Sequence, residues 1–272
     1  MLQREPLIGE FSLINRVRID SCSFVKSLGN SSTATSTMEV VSRLVSIVVL
    51  RQAAQMRQSE IRKQSGNEEW LNCLSHGIGL VAALLLLPYL LAAAAHYGDW
   101  VTVTGARIFG ISIILLYASS TIFHAVPDDR KRAKRIFKVI DHVSVYLLIA
   151  GTYTPFMLDP LRGPLGWSLF SLIWLLAILG TIFKFQGRLW KQRYSVAYYL
   201  FMGWLVLIAL VPLANRLPIG VVLALITGGV LYSAGVYFYL SHHRRYAHFV
   251  WHLFVLAGTA AHIGAVFGMY AA

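Results

Sequence analysis

From about residue 70 onward the chain alternates long apolar runs with short polar connectors. The runs fall at about 71–95, 104–124, 139–158, 165–185, 196–213, 218–240 and 249–270. A helix crosses the hydrocarbon of a bilayer with about 20 predominantly apolar residues, so the pattern predicts seven transmembrane helices. They occupy nearly everything after Glu69 and leave no room there for a soluble domain. The expected fold class is all-α, a seven-transmembrane helical bundle over residues 67–272.

Residues 1–66 differ in kind. They are polar and irregular, with a hydroxyl-rich run from Ser31 to Thr37. Their one apolar patch, Leu44–Leu50, is too short to span, and no small-residue cleavage site marks a signal peptide. Composition predicts a disordered cytoplasmic tail. The alternative is a mis-assigned start, with the true chain opening at Met56. No function is assigned to this stretch.

Composition agrees with a membrane protein. The chain is 57% hydrophobic and 13% charged, against roughly 25% charged in soluble domains. The formal charge of +12 does not indicate nucleic acid, because the basic residues sit in short connectors between runs. Arg130, Lys131, Arg132, Lys134, Arg135 and Lys138 separate runs two and three, and Lys184, Arg188, Lys191 and Arg193 separate four and five. Arg244 and Arg245 precede run seven, whereas the alternate connectors hold only Arg162 and Arg216. The positive-inside rule then places the N-terminus inside and the C-terminus outside. Membrane lipids are the expected partners. Cys22 and Cys73 are too few for a disulfide framework.

Within this apolar chain a few polar residues stand out. His248 and His252 are four apart at the start of run seven, a spacing that stacks both imidazoles on one helix face. His124 ends run two. The predicted topology brings all three to the same leaflet. Three neutral imidazoles with an open fourth position make a catalytic-type zinc site, and ionisable residues within membrane helices point to function. After Glu69 the chain has no glutamate, and Asp141 alone opens an apolar run. Asp141 is therefore the leading carboxylate base. Ser120 lies one turn before His124 and can orient that imidazole or a water. Glu69, Asn72 and His76, with Ser75 alongside, form a polar stripe at the start of run one. The stripe either lines the mouth of the site or marks where the helix leaves water. His142 and His262 are candidate supporting groups, His262 through a hydrogen bond across helices. Gly151 to Phe156 reads as a kink at Pro155.

Taken in order, Glu69-x-x-Asn72-x-x-Ser75-His76, Ser120-x-x-x-His124, Asp141-His142, Ala150 to Phe156 and His248-x-x-x-His252 resemble the bacterial hemolysin III proteins. These belong with the progestin and adiponectin receptor superfamily. The resemblance covers about 68–272. It implies seven helices with an inside N-terminus and zinc held by His124, His248 and His252. It also implies that Asp141 contacts the zinc through water, and a location in the bacterial cytoplasmic (inner) membrane. Kinship with alkaline ceramidases implies an amide hydrolase.

Three functions compete at this level. The leading one is a zinc-dependent hydrolase of a lipid amide or ester, with acyl chains entering from the bilayer. The second is a pore or cytolysin, although no ring of charged pore-lining residues is present. The third is a membrane-state sensor or receptor with a structural zinc, for which His142 or His76 supplies a fourth ligand.

Overall fold

A computed structural model describes residues 62–187, 192–241 and 243–271. Of the tail expected over 1–66, residues 1–61, Met56 among them, lie outside the described residues, whereas 62–66 lead into and open α1. The described residues form helices and connectors with no strand among them. The helices are α1 (Gly66–Tyr97), α2 (Trp100–Ala125), α3 (Lys131–Leu158), α4 (Pro164–Phe185), α5 (Gln192–Trp204), a 3-10 turn (Leu205–Ile208), α6 (Leu210–Ala214), α7 (Ile219–Leu240) and α8 (Ala247–Tyr270).

Six of these, α1 to α4, α7 and α8, are long and apolar enough to cross a membrane. Their apolar surfaces are not spent on an interior. Only 22% of the most apolar stretch of α1 is buried, and no more than 50% in any of the six. Leu85, Tyr89, Ile178 and Leu223 point outward, each more than half exposed. An outer face of this kind is stable against lipid and not against water. The chain is a multi-pass membrane protein.

The fifth predicted run departs from expectation. The stretch 196–213 is not one continuous helix but α5, the 3-10 turn and α6 in succession. Pro212 lies in α6. It lacks the N–H that would bond the Ile208 carbonyl, and its ring crowds that carbonyl, so the preceding turn tightens into 3-10 geometry.

Helix ends follow local chemistry more than hydropathy. α1 starts at Gly66 because Ser65 and Glu68 close a capping box. α2 starts at Trp100 because the Asp99 carboxylate accepts from the backbone N–H groups of Val101 and Thr102. The same carboxylate pairs with both guanidinium nitrogens of Arg162, at 2.6 and 2.8 Å. That pairing ties the α1–α2 connector to the α3–α4 connector and holds the carboxyl well below the usual range. α3 begins at Lys131, eight residues before its apolar run, and carries the basic connector on its first turns.

Successive helices α1 to α4 pack side by side, α7 packs on α8, and α8 closes onto α1. The α5–α6 stretch touches α3 and α7. Pro155 sits inside α3, which runs on to Leu158. The hydroxyls of Thr152 and Thr154 bond the carbonyls of Leu148 and Ala150, both at 2.8 Å. Gly151 lets α3 meet α2 closely, since a Cβ there would lie 2.2 Å from the Ser112 hydroxyl.

Within this ring lies an elongated cavity of about 170 Å³. On α3 its wall runs from Asp141 to Met157, about 24 Å at helical rise. Much of the wall is apolar, with Leu148, Ile149, Phe156, Leu210, Leu225 and Val255 among its members.

Candidate metal centre

Antiparallel packing of α1 on α2 and of α2 on α3, with α8 running parallel to α1, brings the start of α1, the end of α2 and the starts of α3 and α8 to one end of the bundle. His124, His248 and His252 meet there. Each offers one ligand atom, and these atoms all lie within 4.8 Å of one another. His248 and His252 share a face of α8 as their four-residue spacing requires, with ring centroids 4.7 Å apart. The His124 ring from α2 stands 5.2 Å from His248 and 5.0 Å from His252.

The surrounding groups decide what these rings can do. His124 Nδ1 is 2.7 Å from the Glu69 carboxylate. A carboxylate only accepts, so Nδ1 carries the proton and Nε2 keeps its lone pair. That Nε2 is buried without a hydrogen-bond partner among the described residues. His252 Nδ1 lies 3.2 Å from the Asn72 carbonyl and 3.1 Å from the Ser75 hydroxyl, which itself donates to the Asn72 carbonyl. The carbonyl fixes the same tautomer in His252. Carboxylate and carbonyl partners on the far nitrogens are what orient metal-binding histidines and raise their basicity. An orphaned buried lone pair is costly unless something occupies it. The residues present therefore suit a metal ion.

The polar stripe on α1 lies behind these rings. Asn72, Ser75 and His76 are buried, and Glu69 bridges His124 to Lys134, whose ammonium is 3.3 Å away. Asn72 is fully buried and donates to the Gln64 side chain at 2.6 Å. His76 stacks flat on His252, centroids 3.6 Å apart and planes 9° apart, with Tyr117 edge-on at 5.1 Å. Burial and contacts set the stripe against α8 and the end of α2, with His76 on the cavity wall.

Asp141 and Ser120 line the cavity beside His248 and His252. His142 also lines the cavity, with Nε2 3.5 Å from the Tyr239 hydroxyl. His262 does not support the cluster. It is ten residues beyond His252 on α8, about 15 Å along the axis.

One residue central to this end escaped the sequence reading. Glu68 is buried and ion-pairs with Arg62. Besides closing the α1 capping box, it accepts the Tyr246 backbone N–H at 2.7 Å. Tyr246 is the residue before α8, in left-handed backbone at φ 58°. α8 has no side-chain cap of its own, so a carboxylate from α1 takes that role for the helix that carries His248 and His252. Ser65-x-x-Glu68 was legible as a capping box. Its second partner, 178 residues away, was not.

Removing the Glu69 charge tests the orientation argument. Glu69→Gln is expected to weaken metal binding about 10- to 100-fold while the protein stays folded. Chelator competition alongside thermal unfolding measures both, and unchanged affinity would contradict the role given to Glu69.

Comparison with known proteins agrees with the geometry. A family described as haemolysin-III related matches residues 64–263. "Hemolysin-3" of Bacillus cereus is 43% identical over 195 residues, covering 71% of this chain and 87% of that protein. The "Hemolysin-3 homolog" of Bacillus subtilis (strain 168) is 43% identical over 197 residues, covering 71% and 90%. The human "Monocyte to macrophage differentiation factor" is 30% identical over 210 residues, covering 73% and 83%. The chain belongs to the haemolysin III family of the progestin and adiponectin receptor superfamily.

Proposed function

We propose that this protein is a zinc-dependent hydrolase of a lipid amide or ester bond, working at a site that opens toward the cytoplasm. The observation that carries the reading is the meeting of His124, His248 and His252 at the end of a long, mostly apolar cavity. A polar, metal-competent head joined to an apolar channel matches a substrate with one reactive carbonyl and a long acyl chain.

His124, His248 and His252 would hold the ion. Bound there, zinc lowers the pKa of a water toward about 7 and polarises a carbonyl oxygen. The chain's own groups supply the rest. Asp141 accepts the proton of the attacking water and returns it to the departing amine or alkoxide. Ser120, one turn before His124 and on the cavity wall, orients that imidazole or the attacking water. Glu69 and the Asn72 carbonyl keep the His124 and His252 rings turned the right way. The apolar wall from Leu148 to Phe156 excludes water and receives the acyl chain, which enters from the bilayer.

The reading includes a topology. With the α5–α6 stretch counted as a broken fifth span, the bundle has seven, N-terminus inside and C-terminus outside. The basic connectors at the histidine end support this orientation, and the family relationship supports the bacterial cytoplasmic membrane as its location. Alkaline phosphatase fused after Tyr270 is expected to be active outside the cytoplasm. Activity only in fusions to the α2–α3 connector would invert the orientation.

Asp141→Asn is expected to keep its metal and lose at least about 100-fold in hydrolysis of N-acyl lipids, as removal of a general base does. His252→Ala is expected to lose both metal and turnover. Wild-type rates in both variants, measured on purified protein in detergent, would exclude this mechanism.

A further inference from the structure

Far from the histidine cluster, one residue of the cavity wall keeps a buried side-chain nitrogen with no hydrogen-bond partner among the described residues. The polar side chains along its distal part are Thr152, Tyr153, Trp204, Tyr232, Ser233 and His262. Thr152 bonds the Leu148 carbonyl, Tyr153 the carbonyls of Met202 and Gly203, Trp204 the Ser233 hydroxyl, and Tyr232 the Thr259 hydroxyl. Ser233 itself donates to the Gly229 carbonyl. Only His262 keeps a ring nitrogen, Nδ1, that is buried and unpartnered among the described residues.

The tautomer follows from the other nitrogen. His262 Nε2 is 3.2 Å from the Leu225 carbonyl on α7. A carbonyl cannot donate, so Nε2 bears the proton, and Nδ1 of the neutral ring is an acceptor. Gly228 makes the contact possible, since a Cβ there would lie 2.3 Å from the His262 ring. The Tyr232 ring packs on the imidazole from the same helix, centroids 5.5 Å apart. The ring is thus held in place by α7, and its free acceptor belongs to a residue on the cavity wall. Leaving an acceptor unpaired in an apolar wall costs free energy. A ligand that brings a hydroxyl to that depth recovers it.

We propose that His262 is a specificity residue for acyl chains bearing a mid-chain hydroxyl, which donates to Nδ1. The inference rests on the reading of the cavity as an acyl-chain channel. It adds a ruler to that channel. His262 lies ten helical residues beyond His252, which places the hydroxyl about 15 Å from the reacting carbonyl. A hydroxyl next to the carboxyl end cannot reach it.

The test is displacement of tritiated stearate from the purified wild-type protein by stearate, α-hydroxystearate and a stearate hydroxylated at mid-chain. The mid-chain isomer is expected to bind about fivefold more tightly than stearate, in line with one added buried hydrogen bond. The α-hydroxy isomer is expected to show no gain. In His262→Phe, which keeps a ring of similar size, the mid-chain preference is expected to vanish while stearate affinity stays within about twofold. Equal binding of the isomers by the wild type would overturn the proposal and leave the channel reading standing. So would a mid-chain preference that survives in His262→Phe. No saturable stearate binding at all would remove the channel reading and this inference together. Should His262→Phe fail to fold, the wild-type isomer series alone decides.

Discussion

The structure turns on how a cluster of imidazoles is kept at the end of an apolar bundle. Polar groups in such surroundings are costly unless every donor and acceptor has a partner. Here the distal nitrogens of His124 and His252 are answered by the Glu69 carboxylate and the Asn72 carbonyl. Both partners come from the first turns of α1. One ligand atom of each of His124, His248 and His252 then lies within 4.8 Å of the others, a spacing that suits a cation. The packing of α1, α2 and α8 holds the three rings together.

That dependence explains why α1 is more than a membrane anchor. Its first three turns carry Glu68, Glu69, Asn72, Ser75 and His76, and each of them touches another helix, its connector or the chain before α1. Glu68 seats the start of α8, Glu69 links α2 to Lys134 of α3, and His76 stacks beneath His252. The N-terminal end of one helix thereby fixes the relative positions of three others. Beyond this end the interior changes character. Hydroxyls and indoles of the distal cavity are paired with carbonyls or with one another, and apart from His262 the wall there is otherwise apolar. The histidine cluster and the mostly apolar cavity are built from the same set of helices.

Much of this was legible in the sequence because membrane helices obey simple period and length rules. Six of the seven apolar runs correspond to long helices, and the spacing of His248 and His252 gave their shared face directly. The fifth run failed as a continuous helix because hydropathy does not register Pro212, whereas backbone geometry does. Helix starts were read several residues late at α1 and α3, since caps and basic turns extend helices past their apolar limits. The cross-helix hydrogen bond expected of His262 is present, to the Leu225 carbonyl, but ten residues of helical rise separate it from the cluster. The cross-helix role of Glu68 was out of reach, because it joins positions 178 residues apart through a single backbone N–H. Which wall the α1 stripe faces was equally out of reach, since adjacency of helices is a tertiary fact.

The claim on which the account rests is that three histidines from two helices together hold one zinc ion. Elemental analysis of the purified protein, beside a variant carrying both His248→Ala and His252→Ala, tests it most directly. The account predicts about one zinc per wild-type chain and essentially none in a variant that remains folded. A folded wild-type protein that binds no metal after incubation with zinc, or a variant that keeps its full complement, would contradict it.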